Sequence, residues 1–218
     1  MGKIRKVIGA LFLITAILVT QVPTVEMNAA PSSDFQIDKT KLVKYTGTAS
    51  SVSIPSSITT IGAEAFAGNT SLTSVSIGEN VTVFRTDSNC HNRAFSKNTI
   101  GMLYYNPSSA QLDQFKGTAY GPFSYNTKIS GLVIGENVEV IPYGCFRGAK
   151  MELTELQIEK ADIGYAAFDS SNIHIGSLYI GNEVSYLGTS SNEMNCFQGA
   201  IIDILHYNSN VIEPEWSS

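Results

Sequence analysis

The sequence predicts a repeat solenoid, in which the chain winds through stacked turns that share one apolar core. Self-similarity at a period of about 20–50 residues is typical of such folds. An inward-facing pair, two positions apart, recurs seven times: Val52/Ile54, Val75/Ile77, Leu103/Tyr105, Leu132/Ile134, Leu156/Ile158, Leu178/Ile180 and Leu205/Tyr207. A phenylalanine follows six of these pairs: Phe66, Phe95, Phe123, Phe146, Phe168 and Phe197.

The first thirty residues differ in character from the rest. Basic residues within 3–6 precede an uncharged apolar run at 7–19, and small residues follow at 29–31. This order is typical of a secretory signal peptide, and the run is shorter than the roughly 20 residues that span a bilayer. We therefore expect residues 1–30 to be a signal peptide, with an uncleaved N-terminal anchor as the alternative.

The charge balance argues against nucleic-acid binding. Only 15% of the 218 residues are charged, the net charge is −5, and no basic stripe is present that could neutralise phosphates. Removal of residues 1–30 would take away three basic residues and one acidic residue, which changes the net charge to −7. We expect an exported, mildly acidic monomer that does not insert into the membrane after signal cleavage.

The segment before the first repeat predicts a cap. Apolar and polar residues alternate on both sides of a polar turn within residues 35–45, which indicates a β-hairpin. A solenoid needs such a cap because its first turn has no neighbour to cover it. The predicted organisation is a capping hairpin at 31–48 and a solenoid at 49–218, with about six full repeats and an incomplete last one.

Each repeat has an inward strand, a corner and a return segment. In the second unit Val75 and Ile77 point inward because side chains alternate along a strand. Gly-Glu-Asn corners at 78–80 and 135–137, with a variant at 181–183, precede return segments such as 138–141. The repeat phenylalanines are expected to fill the wide end between the two walls.

The run from Ser53 to Ile77 resembles the BspA-type leucine-rich repeat of bacterial surface proteins, and the resemblance covers roughly residues 35–210. It implies a leucine-rich-repeat-like right-handed coil, mainly of short parallel β-strands with short helical turns. A parallel β-helix is the architectural alternative. The resemblance also implies a secreted or cell-surface protein, in a family where several members serve in adhesion to host matrix or cells.

The three cysteines are predicted to be free thiols. Cys145 and Cys196 stand directly before a repeat phenylalanine, where other units carry alanine, and a buried free cysteine fits a small apolar position. They lie two turns apart, so their Cα atoms would be about 10 Å apart, beyond the limit of about 7 Å for a disulfide. Cys90 is left without a partner.

No residue set predicts catalysis, a metal or a cofactor. Cys90 and His91 adjoin, but a zinc site needs three or four ligands and no second pair lies nearby in sequence. His174 is expected to be solvated at the end of a turn. Glu79, Glu136 and Glu183 recur at the corners and are expected to be solvated turn residues. We therefore expect a protein that is not an enzyme.

The outward strand positions supply the candidate binding residues. The first column has serine in the early repeats (Ser53 and Ser76) and mostly larger residues later. Exposed aromatic residues on a rigid sheet are typical binding anchors, although the high strand propensity of tyrosine and valine would also account for them. The candidates are Met102, Tyr104, Val133, Gln157, Tyr179 and His206.

Inserted loops are the second candidate surface, at 86–92 and 107–120. Loops on a rigid scaffold often carry recognition. We expect a secreted or cell-surface module that recognises a host protein or glycan through a concave sheet and these loops. The alternative is a structural spacer, without a ligand, in a larger cell-envelope protein.

Overall fold

The computed structural model describes residues 30–84, 92–108, 121–190 and 193–209. A 3-10 helix, Ser32–Asp34, precedes the strands. The strands are β1 (Phe35–Asp38), β2 (Lys41–Tyr45), β3 (Ser51–Ser53), β4 (Thr60–Ile61), β5 (Ser74–Ile77), β6 (Val83–Phe84), β7 (Thr99–Ile100), β8 (Met102–Tyr105), β9 (Lys128–Ile129), β10 (Leu132–Ile134), β11 (Val140–Ile141), β12 (Lys150–Ile158), β13 (Asp162–Ile163), β14 (Ile173–Ile180), β15 (Thr189–Ser190), β16 (Glu193–Met194) and β17 (Ile201–Tyr207).

The predicted N-terminal hairpin is confirmed. β1 and β2 pair in antiparallel fashion, and β2 then pairs in parallel with β4 of the first turn. Phe35 and Tyr45 are buried, so the hairpin covers the apolar end of the coil. The domain boundaries stay predictions, and the predicted signal peptide lies outside the described residues apart from its last position.

The main wall is a parallel sheet in the order β10-β8-β5-β3. Its strands are in register, so Val52, Val75, Leu103 and Leu132 form one buried row across the sheet. Each lies between two outward residues because side chains alternate along a strand. The predicted inward pairs are therefore the residues that build this wall.

The last three turns have longer strands than the repeat pattern predicts. In the sequence the recurring motif of these turns begins at Leu153, Ile175 and Ile202, whereas β12, β14 and β17 begin earlier. Met151 and Ile173 are buried, so the inward alternation extends further toward the N-terminal end of each strand. These strands form a five-stranded parallel sheet, β17-β14-β12-β9-β7, with the two-residue strands of earlier turns.

The return segments form a second wall. β4 pairs in parallel with β6, and β11 with β13, in sheets separate from the main wall. Ile61, Phe84, Ile141 and Ile163 are buried there. The Gly-Glu-Asn corners are tight turns, as predicted: the amide of Val138 donates to the carbonyl of Gly135 at 3.2 Å, and Glu79, Glu136 and Glu183 are exposed.

The repeat phenylalanines form a continuous stack along the coil. Successive ring centroids from Phe66 to Phe197 are 4.7, 4.9, 4.9, 5.0 and 4.8 Å apart, with interplanar angles of 7–18°. Tyr45 of the hairpin extends the stack, at 5.2 Å from Phe66. Each aromatic pair stabilises the fold by about 0.5–1.5 kcal/mol beyond its buried area.

The segments around these phenylalanines are consecutive tight turns. In the first unit the amides of Ala65, Ala67 and Asn69 each donate to the carbonyl three residues earlier. Within the described ranges, the one helical segment is the short 3-10 helix before β1. The described part of the chain is therefore a parallel β-solenoid of about six turns with almost no helix, consistent with the predicted leucine-rich-repeat-like coil.

Two of the three cysteines are free and buried, as predicted. Burial raises the pKa of both the Cys145 and the Cys196 thiol to about 12. The Cys145 thiol also donates a hydrogen bond of 3.5 Å to the hydroxyl of Tyr105. Cys90 lies outside the described residues, so its state stays a prediction.

Candidate functional site

Two of the predicted binding residues, Tyr104 and Val133, lie on the outward face of the main wall, in one row with two serines of the earlier turns. Ser53, Ser76, Tyr104 and Val133 occupy directly paired positions on β3, β5, β8 and β10. All four are half-buried, because their side chains leave the sheet on the side away from the core. The face therefore changes from small hydroxyl side chains to a tyrosine and a valine within one row.

Met102 lies over the neighbouring turn. A Cβ atom added at Gly131 would be 2.6 Å from the Met102 Cε atom, so the methionine side chain occupies the space above this glycine. Met102 is half-buried as a result. The absence of a side chain at 131 lets the methionine cover the sheet beside Tyr104.

The other three candidates form a second row on the later strands. Gln157, Tyr179 and His206 are directly paired across β12, β14 and β17. The rings of Tyr179 and His206 stack, with centroids 4.1 Å apart and an interplanar angle of 3°. The Gln157 amide donates a hydrogen bond to Glu155. This row presents an ordered aromatic pair beside a polar strand.

The two rows belong to different sheets. β10 and β12 are in contact, but among the described strands no ladder of hydrogen bonds joins them. Tyr104 and Val133 therefore lie on one sheet, and Gln157, Tyr179 and His206 on the next. The predicted loops at 86–92 and 107–120 lie almost wholly outside the described residues.

Sequence reasoning missed an ionic cluster on the longer strands. His174 lies within β14, where it pairs with Glu152 of β12, and not at the end of a turn as the sequence suggested. Its side chain is 36% exposed. Its Nδ1 atom is 2.6 Å from Glu152 Oε1, and its Nε2 atom is 3.0 Å from Asp203 Oδ2. The sequence did contain a signal for this cluster: polar residues alternate with Met151, Leu153, Ile173 and Ile175, as they do along a strand.

Hydrogen bonds from the ring raise the pKa of His174, first to Asp203 and then to Glu152. A carboxylate accepts and does not donate, so two such bonds need a proton on each ring nitrogen. The described geometry is therefore that of an imidazolium ion held between two carboxylates. The carboxylates lie on opposite sides of the ring, an arrangement that links three strands.

The described residues contain no group of three or more His, Cys, Asp or Glu side chains arranged to hold a metal ion. Cys90 and His91, the pair noted in the sequence, lie outside those residues. The buried thiols are poorly suited to nucleophilic chemistry, because the reactive form is the thiolate and burial raises their pKa.

Across the part of the chain that the structure covers, no helix has the length and apolar character needed to cross a membrane. No curated protein and no solved structure matched the chain. A family model described as the BspA type leucine rich repeat region matches it in six copies, over residues 36–174 and 119–211. These ranges include most of the sequence and coincide with the stacked turns, so the chain belongs to the BspA-type leucine-rich repeat family.

Proposed function

We propose that the chain is a secreted or cell-surface binding module that recognises an extracellular protein or glycan through the outward face of its strands. One observation carries the proposal: the outward strand positions change from serine in the first turns to Tyr104 on the same sheet, and to the Tyr179–His206 stack on the next sheet. Aromatic residues are the commonest anchors at binding surfaces.

The outward aromatic residues are not needed to fill the core. The buried rings of the described residues are those of the phenylalanine stack and of Phe35, Tyr45, Phe84 and Tyr105. Tyr104 and Tyr179 leave the sheet on the other side. The tyrosine and histidine rings are held in a fixed relative geometry, so less side-chain entropy would be lost on binding. These points favour ligand recognition, and not strand propensity alone, as the reason why aromatic residues occupy these outward positions.

Export is supported by the sequence at 1–30 and by family membership. The basic, apolar and small-residue order is that of a secretory signal peptide. Members of this repeat family are typically secreted or surface-exposed. We propose the same location for this chain, with a host protein or glycan as partner.

The test is a binding screen of the full chain against immobilised laminin, collagen and fibronectin and an array of glycans. For any protein or uncharged glycan that binds, the double variant Tyr104→Ala/Tyr179→Ala should bind at least about tenfold more weakly, since a central aromatic anchor contributes about 2 kcal/mol or more.

The matched control is Ser53→Ala/Ser76→Ala, on the same row in the early turns, which should bind as the parent chain does. Circular dichroism and urea unfolding establish that both variants are folded. Equal binding by the folded tyrosine variant would contradict the proposal, and a folded chain that binds no probe would favour the spacer alternative.

A further inference from the structure

An open cleft of about 470 Å³ lies over the N-terminal ends of β12 and β14. Its volume falls within the range of about 300–1,000 Å³ that is typical of ligand clefts. Side chains from four turns converge on it, because the longer late strands extend the sheet past the earlier ones. Those used below are Lys128, Lys150, Glu152, Asn172, His174 and Ile201.

Two lysines stand side by side in the cleft. Lys128 of β9 and Lys150 of β12 are directly paired across parallel strands, about 4.8 Å apart at the backbone. Neither ammonium group forms an ion pair or a side-chain hydrogen bond with another described residue. Like charges on paired strands destabilise a sheet, and an anion bound between them would remove the repulsion.

The other side of the cleft carries groups that suit hydroxyls. Glu152 is 79% exposed, and one of its oxygens accepts from His174, which leaves the second oxygen directed to no described residue. The side-chain amide of Asn172 makes no hydrogen bond to the described residues, although its backbone amide donates to Ser170. Ile201 is 48% exposed and adds an apolar surface at the rim.

These features favour a sugar over a peptide or a nucleotide. β12 and β14 are interior strands with partners on both sides, so their backbone groups cannot pair with an added peptide strand. Glu152 in the lining would repel the additional charges of a polyphosphate, which a ligand with one anionic group between the two lysines does not bring. Apart from His174, whose ring nitrogens are both engaged, the lining residues offer no aromatic ring for a base.

We propose that this cleft binds an acidic sugar, with the carboxylate or sulfate group between Lys128 and Lys150. The hydroxyls of the sugar donate to Glu152 and accept from Asn172, and its C–H face contacts Ile201. The site uses none of the candidate residues of the outward rows. This proposal can therefore be tested independently of the recognition proposed for Tyr104 and Tyr179.

The experiment is isothermal titration of the full chain at low salt with three tetrasaccharides. Hyaluronan carries carboxylates, carrageenan carries sulfates, and chitotetraose is neutral. At least one anionic probe should bind at least about tenfold more tightly than chitotetraose, and added salt should weaken it. Which of the two binds identifies the anionic group.

Lys128→Gln/Lys150→Gln should weaken binding of the anionic probe at least about tenfold, because hydrogen bonds to charged groups are the strong ones. The single variants should fall between this variant and the parent. The double variant should be no less stable than the parent, since the substitution removes a repulsion between the two lysines.

Two controls separate the cleft from general charge and from the outward face. Lys39→Gln/Lys160→Gln removes the same charge at exposed positions elsewhere and should leave binding unchanged. Tyr104→Ala/Tyr179→Ala should also leave it unchanged. The proposal is overturned if no anionic probe binds at millimolar concentration, if chitotetraose binds equally, or if the Lys39/Lys160 variant loses as much affinity as the cleft variant.

Discussion

At the scale of single residues, His174 combines a fixed geometry with a titratable charge. Its ring links β14 to Glu152 on β12 and to Asp203 on β17. Because both bonds need the doubly protonated ring, the link exists only while the imidazole is charged. Ion pairs at exposed positions contribute on the order of 0.2–1 kcal/mol each, and His174 is 36% exposed.

The free energy of unfolding should therefore depend on pH. The folded-state pKa of His174 is raised above its ordinary value of 6.5, so the stabilisation is fully present below 6.5 and is lost as the pH rises through the folded pKa. Urea unfolding from about pH 5 to about pH 9 should show this loss in the parent chain, and a smaller one in His174→Asn.

The acidic partner offers a second check of the histidine link. Asp203→Asn keeps the side-chain shape but replaces the carboxylate whose hydrogen bond contributes most to the raised pKa of His174, so it should also reduce the pH dependence. As a control, His206→Asn removes the histidine of β17 and should leave the contribution of His174 to the pH dependence unchanged. If His174→Asn retained the full pH dependence of the parent, the imidazolium link would be wrong.

At the scale of secondary-structure elements, close backbone contacts explain several glycines. Gly164 follows β13 directly, and a Cβ atom there would lie 2.5 Å from the backbone nitrogen of Tyr143 in the turn below. Gly188 has the same relation to Tyr165, at 2.1 Å. By contrast, a Cβ atom at Gly78, on a solvent-facing corner, would have no neighbour within 4 Å.

Gly164→Ala should therefore destabilise the protein, by roughly 1–3 kcal/mol, which is typical when an atom is forced into a packed site. Gly78→Ala should be neutral or slightly stabilising, because alanine restricts the unfolded chain. Comparison of urea midpoints for the two variants checks this difference. Equal urea midpoints for the two variants would show that the turns next to Gly164 can move apart without loss of stability.

The repeat pattern predicts the inward residues well and the cross-turn contacts poorly. Val75 and Leu178 are identifiable because burial follows the alternation within one strand. The cleft lysines and the His174 cluster depend on which turn lies beside which and on where each strand begins. Lys150 and His174 stand before the recurring motif, so the repeat alignment gave no reason to group them with Asp203.

At the scale of the whole molecule, each turn contacts only its neighbours. Strand pairing runs from turn to turn, and the phenylalanine stack follows the same order. Such solenoids behave as nearly one-dimensional arrays, whose stability is a sum of turn and interface terms. Among the described turns, the last is expected to open more readily than the interior ones, because β17 pairs with β14 on one side and with no described strand on the other.

The buried thiols can measure this gradient. Cys145 lies in an interior turn and Cys196 near the C-terminal end of the described coil, and the raised pKa of each makes it inert while buried. In single-cysteine variants under native conditions, alkylation should be faster at Cys196 than at Cys145. The rates should converge in urea, where both thiols are exposed. A faster reaction at Cys145 would exclude opening from this end.

The phenylalanine stack gives the molecule a unit of length. Its spacing of 4.7–5.0 Å equals the distance of about 4.8 Å between neighbouring strands, so the rings and the backbone advance in step. A turn could be duplicated or deleted as a whole, and the flanking rings would meet again at the same distance. The coil can therefore lengthen or shorten over evolution without a redesigned core, while its outward side chains change independently at every step.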